Sequence, residues 1–245
     1  MRGIFITLEG ADGCGKSTQA ALLADRVEAA GREVVRLREP GGTPISEKIR
    51  ALVLDPANGE MCPECELLLF EAARAQLVRQ VIEPALARGA VVVCDRFYDS
   101  TYAYQAAGRA LEQQTIRSGN ALGSCGVDPD RTLVLDMETD AALARATRDG
   151  ADRMEAEGVA FQRRVREGYL RLVAEEPERV RRVDAWGSVE DVSARLDAAL
   201  AGLLPELAGE GRLSRPPHPP RAPWPPSPTS RESMTSSPRP SPRAG

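Results

Sequence analysis

Apolar positions along this chain come in short, dense bursts separated by longer stretches in which they recur every three or four residues. Ile4 to Glu9, Glu33 to Arg38, Ala90 to Cys94, Thr132 to Asp136 and Val180 to Asp184 are the bursts, and they read as five strands. Ala90-Val91-Val92-Val93-Cys94 is continuously apolar and β-branched, the mark of a central parallel strand covered on both faces. The helical stretches lie between the strands. Thr18 to Ala30 carries Leu22, Leu23, Val27 and Ala30 at helical spacing, with Gly31 placed as a stop. Pro44 to Leu54 is a short helix, and Asn58 to Cys65 reads as a polar loop. Glu66 to Arg88 is a long helix that Pro84 should bend. Ser100 to Leu122 is helical in two pieces interrupted at Gly108, and Thr139 is expected to cap a helix running to about Thr147. Ala160 to Glu175 and a segment opened by Ser188 with Asp191 complete the set. Strands alternating with helices predict an α/β fold, a five-stranded parallel sheet with helices on both faces. Ligands are then expected beyond the carboxyl ends of the strands.

From about Arg212 the pattern stops. Eleven of the nineteen prolines lie between Pro216 and Pro242, mixed with Ser and Arg. Such a segment cannot bury enough apolar surface to offset its ordering entropy, so residues 211–245 are expected to be a disordered tail beyond a domain of residues 1–210. The sole histidine, His218, falls in that tail, which leaves no histidine chemistry to the body. No run approaches the ~18 apolar residues of a membrane span. With five cysteines, an odd number, and no secretory leader, the expectation is a reduced cytoplasmic protein. Cys62-Pro63-Glu64-Cys65 could supply two thiolates, but a structural zinc site needs four ligands, and no second pair is near. The net charge is −4; six Arg against three Glu from Glu206 onward leave −7 for the body, a poor non-specific nucleic-acid binder.

Candidate chemistry sits first at Gly10-Ala11-Asp12-Gly13-Cys14-Gly15-Lys16-Ser17-Thr18, which matches the phosphate-binding loop G-x-x-x-x-G-K-[ST] between a strand and a helix. Its glycines let backbone N–H groups converge on polyphosphate, and the following helix adds its positive dipole end. Lys16 supplies a point charge and Ser17 a hydroxyl for Mg²⁺. The chain uses 30 Arg and only two Lys, and one of the two stands where the loop needs a slim ammonium. A guanine-reading Asn-Lys-x-Asp is excluded, because Asn58 and Asn120 are followed by Gly and Ala. A kinase of small acceptors is expected: Asp95 at the end of the third strand would orient Mg²⁺ directly or through water, and Arg96 would hold a phosphate.

At these residues the sequence resembles the bacterial thymidylate kinases. The resemblance is carried by Glu9 to Gly13 with the loop after it, by Arg38-Glu39-Pro40-Gly41-Gly42-Thr43, and by Leu69-Phe70-Glu71-Ala72-Ala73-Arg74. It continues through Asp95-Arg96-Phe97, Ser100-Thr101-Tyr102-Ala103-Tyr104-Gln105 and Asp152-Arg153-Met154-Glu155. It implies ATP and dTMP as substrates, Mg²⁺ with the ATP, and a homodimer. It also implies that Phe70 stacks on thymine, that Arg74 donates to a base carbonyl, and that Thr101 and Gln105 touch base edge and sugar. Arg50 and Arg96 would grip the monophosphate, and Asp12 would meet the 3′-hydroxyl or support the metal. Residues 148–158 would form a lid, with Arg153 the first candidate to approach the transferring phosphoryl group and Arg148 the second. Glu39 also faces the acceptor on this reading. In the rival reading, a deoxynucleoside kinase, Glu39 would be the base that deprotonates a hydroxyl. A kinase of another pyrimidine monophosphate, or a non-catalytic nucleotide-binding regulator with the tail as its output, are further alternatives.

Overall fold

The computed structural model describes residues 2–149 and 152–207; the expected tail lies outside them, and so do Gly150 and Ala151 of the expected lid segment. Five strands form one all-parallel sheet: β1 (Ile4–Glu9), β2 (Val34–Arg38), β3 (Val91–Asp95), β4 (Arg131–Asp136) and β5 (Val180–Asp184). Their order across the sheet is β2-β3-β1-β4-β5. Both faces are covered, which the side-chain alternation of the strands makes possible. Ile6, Leu8, Val91, Val93, Leu133 and Leu135 pack on one face with Leu23 and Val27 of α1 (Lys16–Ala29). On that face they also meet Leu196 and Leu200 of the helix Val189–Leu200. Phe5, Val92 and Cys94 point the other way, against Leu77, Val78 and Ile82. Val134 and Val180 meet Phe161, Val165 and Tyr169 of the helix Val159–Glu175. Each inward side chain of this size contributes about 1.5–3 kcal/mol by leaving water.

The remaining helices are α2 (Pro44–Leu54), α3 (Pro63–Leu77), α4 (Glu83–Ala87), α5 (Tyr98–Thr101), α6 (Gln113–Gly123) and α7 (Thr139–Ala146). The helices Val159–Glu175 and Val189–Leu200 are α8 and α9. Ser188 and Asp191 form the expected reciprocal cap of α9. Three local expectations differ. First, α3 begins at Pro63 and not at Glu66, because proline suits the first helical turn, where its missing N–H is no loss. Second, Glu138, rather than Thr139, accepts the Asp140 N–H and caps α7. Third, the long helix does not simply bend at Pro84. Val78–Ile82 widens into a π turn, with the Glu83 N–H reaching the Val78 carbonyl. Pro84 has no N–H for the Gln80 carbonyl and its ring crowds it, so the extra residue is accommodated one turn earlier.

A second π segment, Tyr102–Gly108, follows α5 without a break, and the Arg109 N–H bonds the Tyr104 carbonyl at 2.9 Å. The Gly108 interruption expected from sequence is where this segment ends. Gly168 of α8 allows close approach here: a Cβ on it would lie 2.8 Å from the Ala107 Cβ and 3.0 Å from the Ala103 Cα.

Strand register sets the site. Asp95 pairs with Leu8 on one side and Arg38 on the other. Glu39 N–H donates to the Asp95 carbonyl, and Arg96 N–H to the Leu8 carbonyl, both at 2.9 Å. Three strands therefore end level, and the polar residues that follow them open on one rim.

Candidate active site

The phosphate loop has the backbone its glycines foretold. Gly10, Gly13 and Gly15 have φ of 136°, 80° and 94°. A Cβ on Gly13 would collide with the Ala142 carbonyl of α7, so that position requires glycine on two counts. Gly15 precedes α1, whose first-turn N–H groups are the expected anion donors. Lys16 is buried and bends back, its Nζ donating to the Ala11 carbonyl at 2.8 Å and standing 3.7 Å from Asp12. Ser17 Oγ donates to Asp95 Oδ2 at 2.5 Å. Asp95 Oδ1 is buried with no hydrogen-bond partner among the described residues.

Arg96 leaves the third strand in the left-handed region, φ 72°. Glu9 fixes that turn: its Oε1 accepts the Phe97 N–H at 2.7 Å, and its Oε2 accepts Ser100 Oγ at 2.6 Å and Tyr169 OH at 2.7 Å. Burial, reinforced by Asp99, pushes the Glu9 carboxyl up to about 7. Arg96 is then aimed by Asp12 (2.6 Å), Tyr104 OH (2.9 Å), Tyr169 OH (3.1 Å) and Ser100 Oγ (3.2 Å). Burial alone would raise Asp12, but Arg96 and Lys16 outweigh it and hold the carboxyl well below its usual range.

Across the rim, Arg50 donates to the Pro40 carbonyl at 2.9 Å, beside Arg38, which donates to the same carbonyl at 3.0 Å. Burial and the neighbouring Arg38 lower the Arg50 guanidinium to about 10. Arg38 is paired with Glu47 at 3.1 Å, whereas Arg50 has no ion pair among the described residues, so of the two it is Arg50 that favours an added anion. Arg74 is buried at 2% exposure, its Nε on Glu39 at 2.8 Å and its Nη1 on Glu71 at 2.6 Å. Burial pushes Glu39 up to about 7 in spite of Arg74, and Glu39 Oε1 is unpartnered among the described residues. Phe70 is half-buried and belongs to none of the apolar clusters, unlike Phe5, Phe97 and Phe161. Its ring is free for stacking rather than spent on the core.

The phosphate loop, the Arg96 turn and the side holding Arg50 and Arg74 open on one cavity of about 420 Å³, with Glu9, Glu71 and Tyr169 behind its wall. Asp12, Gly13, Gly15, Lys16, Ser17 and Thr18 line it from the loop; Asp95 and Arg96 line it from β3 and the turn after it. Glu39, Arg50, Phe70, Arg74, Thr101 and Gln105 line other parts of it. Gly10, Ala11 and Cys14 shape the loop from behind and do not line the cavity. The two lid arginines expected at the reaction do not line it either. Arg153 is buried, with Nε on the Val53 carbonyl at 2.7 Å and Nη2 on Glu66 at 2.5 Å. Arg148 is exposed, with no ion pair among the described residues. The arginine that α7 brings to the wall is Arg145, which sequence reasoning missed; it also lies over the half-exposed Trp186 ring, 5.5 Å from its centroid. Ser100 and Tyr104 are further lining residues without an assigned part, although both lie inside a motif already singled out.

A glycine loop shaped for a polyphosphate and a set of guanidiniums shaped for a smaller anion, sharing one cavity beyond a parallel sheet, define a phosphate-loop kinase of small acceptors. A family model described as thymidylate kinase matches residues 8–196. A thymidylate kinase of Pseudomonas putida (strain GB-1) is 49% identical over 210 residues, spanning 85% of this chain and 100% of that protein. One from Trichlorobacter lovleyi is 46% identical over 208 residues, spanning 82% of this chain and 98% of its own length. The crystal structure of thymidylate kinase from Ehrlichia chaffeensis superposes with a TM-score of 0.68 at 30% identity, covering 82% of this chain and 100% of that one. The chain belongs to the thymidylate kinase family, and is a phosphotransferase of the fold expected from its sequence.

Proposed function

We propose that this protein transfers the γ-phosphoryl group of ATP to the phosphate of dTMP, giving dTDP and ADP. The observation that carries the reading is the single cavity in which the phosphate loop and the Phe70–Arg74–Gln105 wall meet. ATP would lie with its phosphates on the loop amides and Lys16. The dTMP base would lie against Phe70 and Arg74, and its phosphate would meet Arg96, Arg50 and Arg38. Asp12 faces the same space and would take the 3′-hydroxyl.

No general base is needed, because a phosphate monoester is already anionic at neutral pH, its second pKa being near ~6. Catalysis then consists of holding two anions in line and offsetting their charge. Arg96 is fixed by four partners before any ligand arrives, so little reorganisation accompanies the reaction. Ser17 and Asp95 fit a hydrated Mg²⁺: a hydroxyl stands next to a carboxylate that has one buried oxygen unspent. Magnesium there would neutralise charge on the outer phosphates. Residues 148–158 would close over ATP, with Arg148 and Arg145 the arginines placed to swing in and Arg153 serving as the anchor. A homodimer belongs to the same proposal, with the exposed Leu68 and Leu122 on the packed helices α3 and α6 supporting an apolar contact face.

The test is an assay of the purified protein with ATP, Mg²⁺ and either dTMP or thymidine. Turnover with dTMP and about a hundredfold or greater preference over thymidine is expected, since thymidine lacks the anion that Arg96 and Arg50 serve. Phosphorylation of thymidine but not of dTMP would overturn the proposal and favour a role for Glu39 as base.

A further inference from the structure

Glu66 is wholly buried and does not line the cavity, yet four hydrogen-bonding groups converge on it. Gln105 Nε2 reaches Oε1 at 2.7 Å, and Arg109 reaches Oε1 through Nε at 3.2 Å and Oε2 through Nη2 at 2.9 Å. Arg153 Nη2, from the lid segment, reaches Oε2 at 2.5 Å. Two arginines on one carboxylate keep it ionised in spite of burial, and an ionised carboxylate only accepts hydrogen bonds.

A primary amide has two unlike ends. With its NH₂ taken by Glu66, Gln105 is left with its carbonyl oxygen as the free end. That oxygen has no hydrogen-bond partner among the described residues, nor is it among the buried unpartnered atoms, so it is open to the cavity that Gln105 lines. The reversed amide would set a carbonyl oxygen against a carboxylate, which is repulsive. Arg74 presents the opposite polarity. Its Nε is spent on Glu39 and its Nη1 on Glu71, Thr101 and Asn120, while Nη2 is unspent and not enclosed.

We infer that Glu66 is a specificity-positioning residue. By fixing which end of the Gln105 amide faces the cavity, it sets an acceptor beside the Arg74 donor and selects a pyrimidine whose ring N–H adjoins a C=O. An aminopyrimidine shows the reverse pattern, a ring acceptor beside an N–H donor, and meets two unfavourable faces. This rests on the acceptor assigned above. It also gives Arg153 a part that needs no contact with phosphate: seated on Glu66, it ties the lid segment to the wall that reads the base.

Glu66→Gln tests it, because an amide can face Gln105 with either end. kcat/KM is measured for dTMP, dUMP and dCMP in wild type, Glu66→Gln and Glu66→Asp. The dTMP-to-dCMP preference should fall about thirtyfold or more in Glu66→Gln and stay near wild type in Glu66→Asp, with dUMP following dTMP throughout. A purely structural part for Glu66 would depress all three acceptors in parallel and leave the ratio unchanged, and that result overturns the inference. Should Glu66→Gln not fold, the wild-type Gln105 side-chain amide is followed by ¹⁵N–¹H spectroscopy. Slow hydrogen exchange without ligand, and little shift on adding dTMP, supports it. Fast exchange, or a large shift of the NH₂ protons on adding dTMP, overturns it. Wild type inactive on every monophosphate would sink the proposed function, whereas active wild type with an unmoved ratio sinks only the part given to Glu66.

Discussion

At the scale of the residue, the site is made of charges whose partners are already in place. Lys16 is the plainest case. Its ammonium is buried against the Ala11 carbonyl, a contact that phosphate oxygens would replace on the proposed reading. Lys16→Ala should lower kcat/KM by about 10²–10³, roughly 3–4 kcal/mol, a size expected for a donor aimed at developing charge. Steady-state kinetics with saturating dTMP reads this directly, and near-normal turnover would contradict the assignment. Arg96 stores a different kind of cost. A non-glycine residue at φ 72° is held there against a penalty of about 1–3 kcal/mol, and the holder is the Glu9 carboxylate on the next N–H. The Arg-Phe sequence alone does not announce this, because the residues that lock it, Glu9 and Tyr169, are 160 positions apart.

At the scale of the element, what was legible in the sequence follows from what is local. The five strands, the phosphate loop, α2 and the Ser188 cap depend on neighbours within a turn or two, so composition and period reveal them. The two π segments are harder to read. Each turns on an i to i−5 bond: Pro84 lies within a turn of Val78–Ile82 but announces a break rather than an added residue, and Tyr102–Gly108 packs on α8, far along the chain. The seat of Arg153, which lies in a turn, was illegible because Glu66 is 87 positions away, on α3. Most of the acceptor wall was legible only because short motifs, Phe70 to Arg74 and Thr101 to Gln105, each place two site residues one turn apart. The second π segment carries Tyr104 and Gln105, so its contact with α8 bears on function. Gly168→Val should destabilise the protein by about 2–3 kcal/mol through overpacking against Ala103 and Ala107, and should lower kcat with it. Gly59→Ala, at an open position with φ −62°, is the control and should be neutral. Denaturant midpoints of the two variants give the comparison.

At the scale of the whole molecule, helices on both faces leave only the carboxyl rim of the sheet for chemistry, and the rim concentrates charge out of water. Glu9 and Glu39 are both pushed up to about 7 by burial. A carboxyl with a higher pKa folded than unfolded binds more protons in the native state between those values. Its contribution to stability is therefore full below about pH 4.5 and is lost as pH rises through 7. The Asp12 and Asp136 carboxyls are shifted downward, and their opposite slopes are over by about pH 5. The melting temperature of the ligand-free protein should thus fall from pH 5 to pH 8. Glu9→Gln, which keeps an acceptor for the Phe97 N–H, should flatten that fall; an unchanged slope in the variant would refute the link. The level ending of β1, β2 and β3 has a last consequence, for how the chain tolerates changes in length. One residue inserted within Val91–Cys94 would rotate Asp95 off the rim and into the apolar layer, parting it from Ser17 and carrying Arg96 away with it. The same insertion beside Gly59 would only lengthen an exposed bend. Length can vary freely on the outside of this molecule, while four consecutive residues at its centre act as a ruler that admits no spare mark.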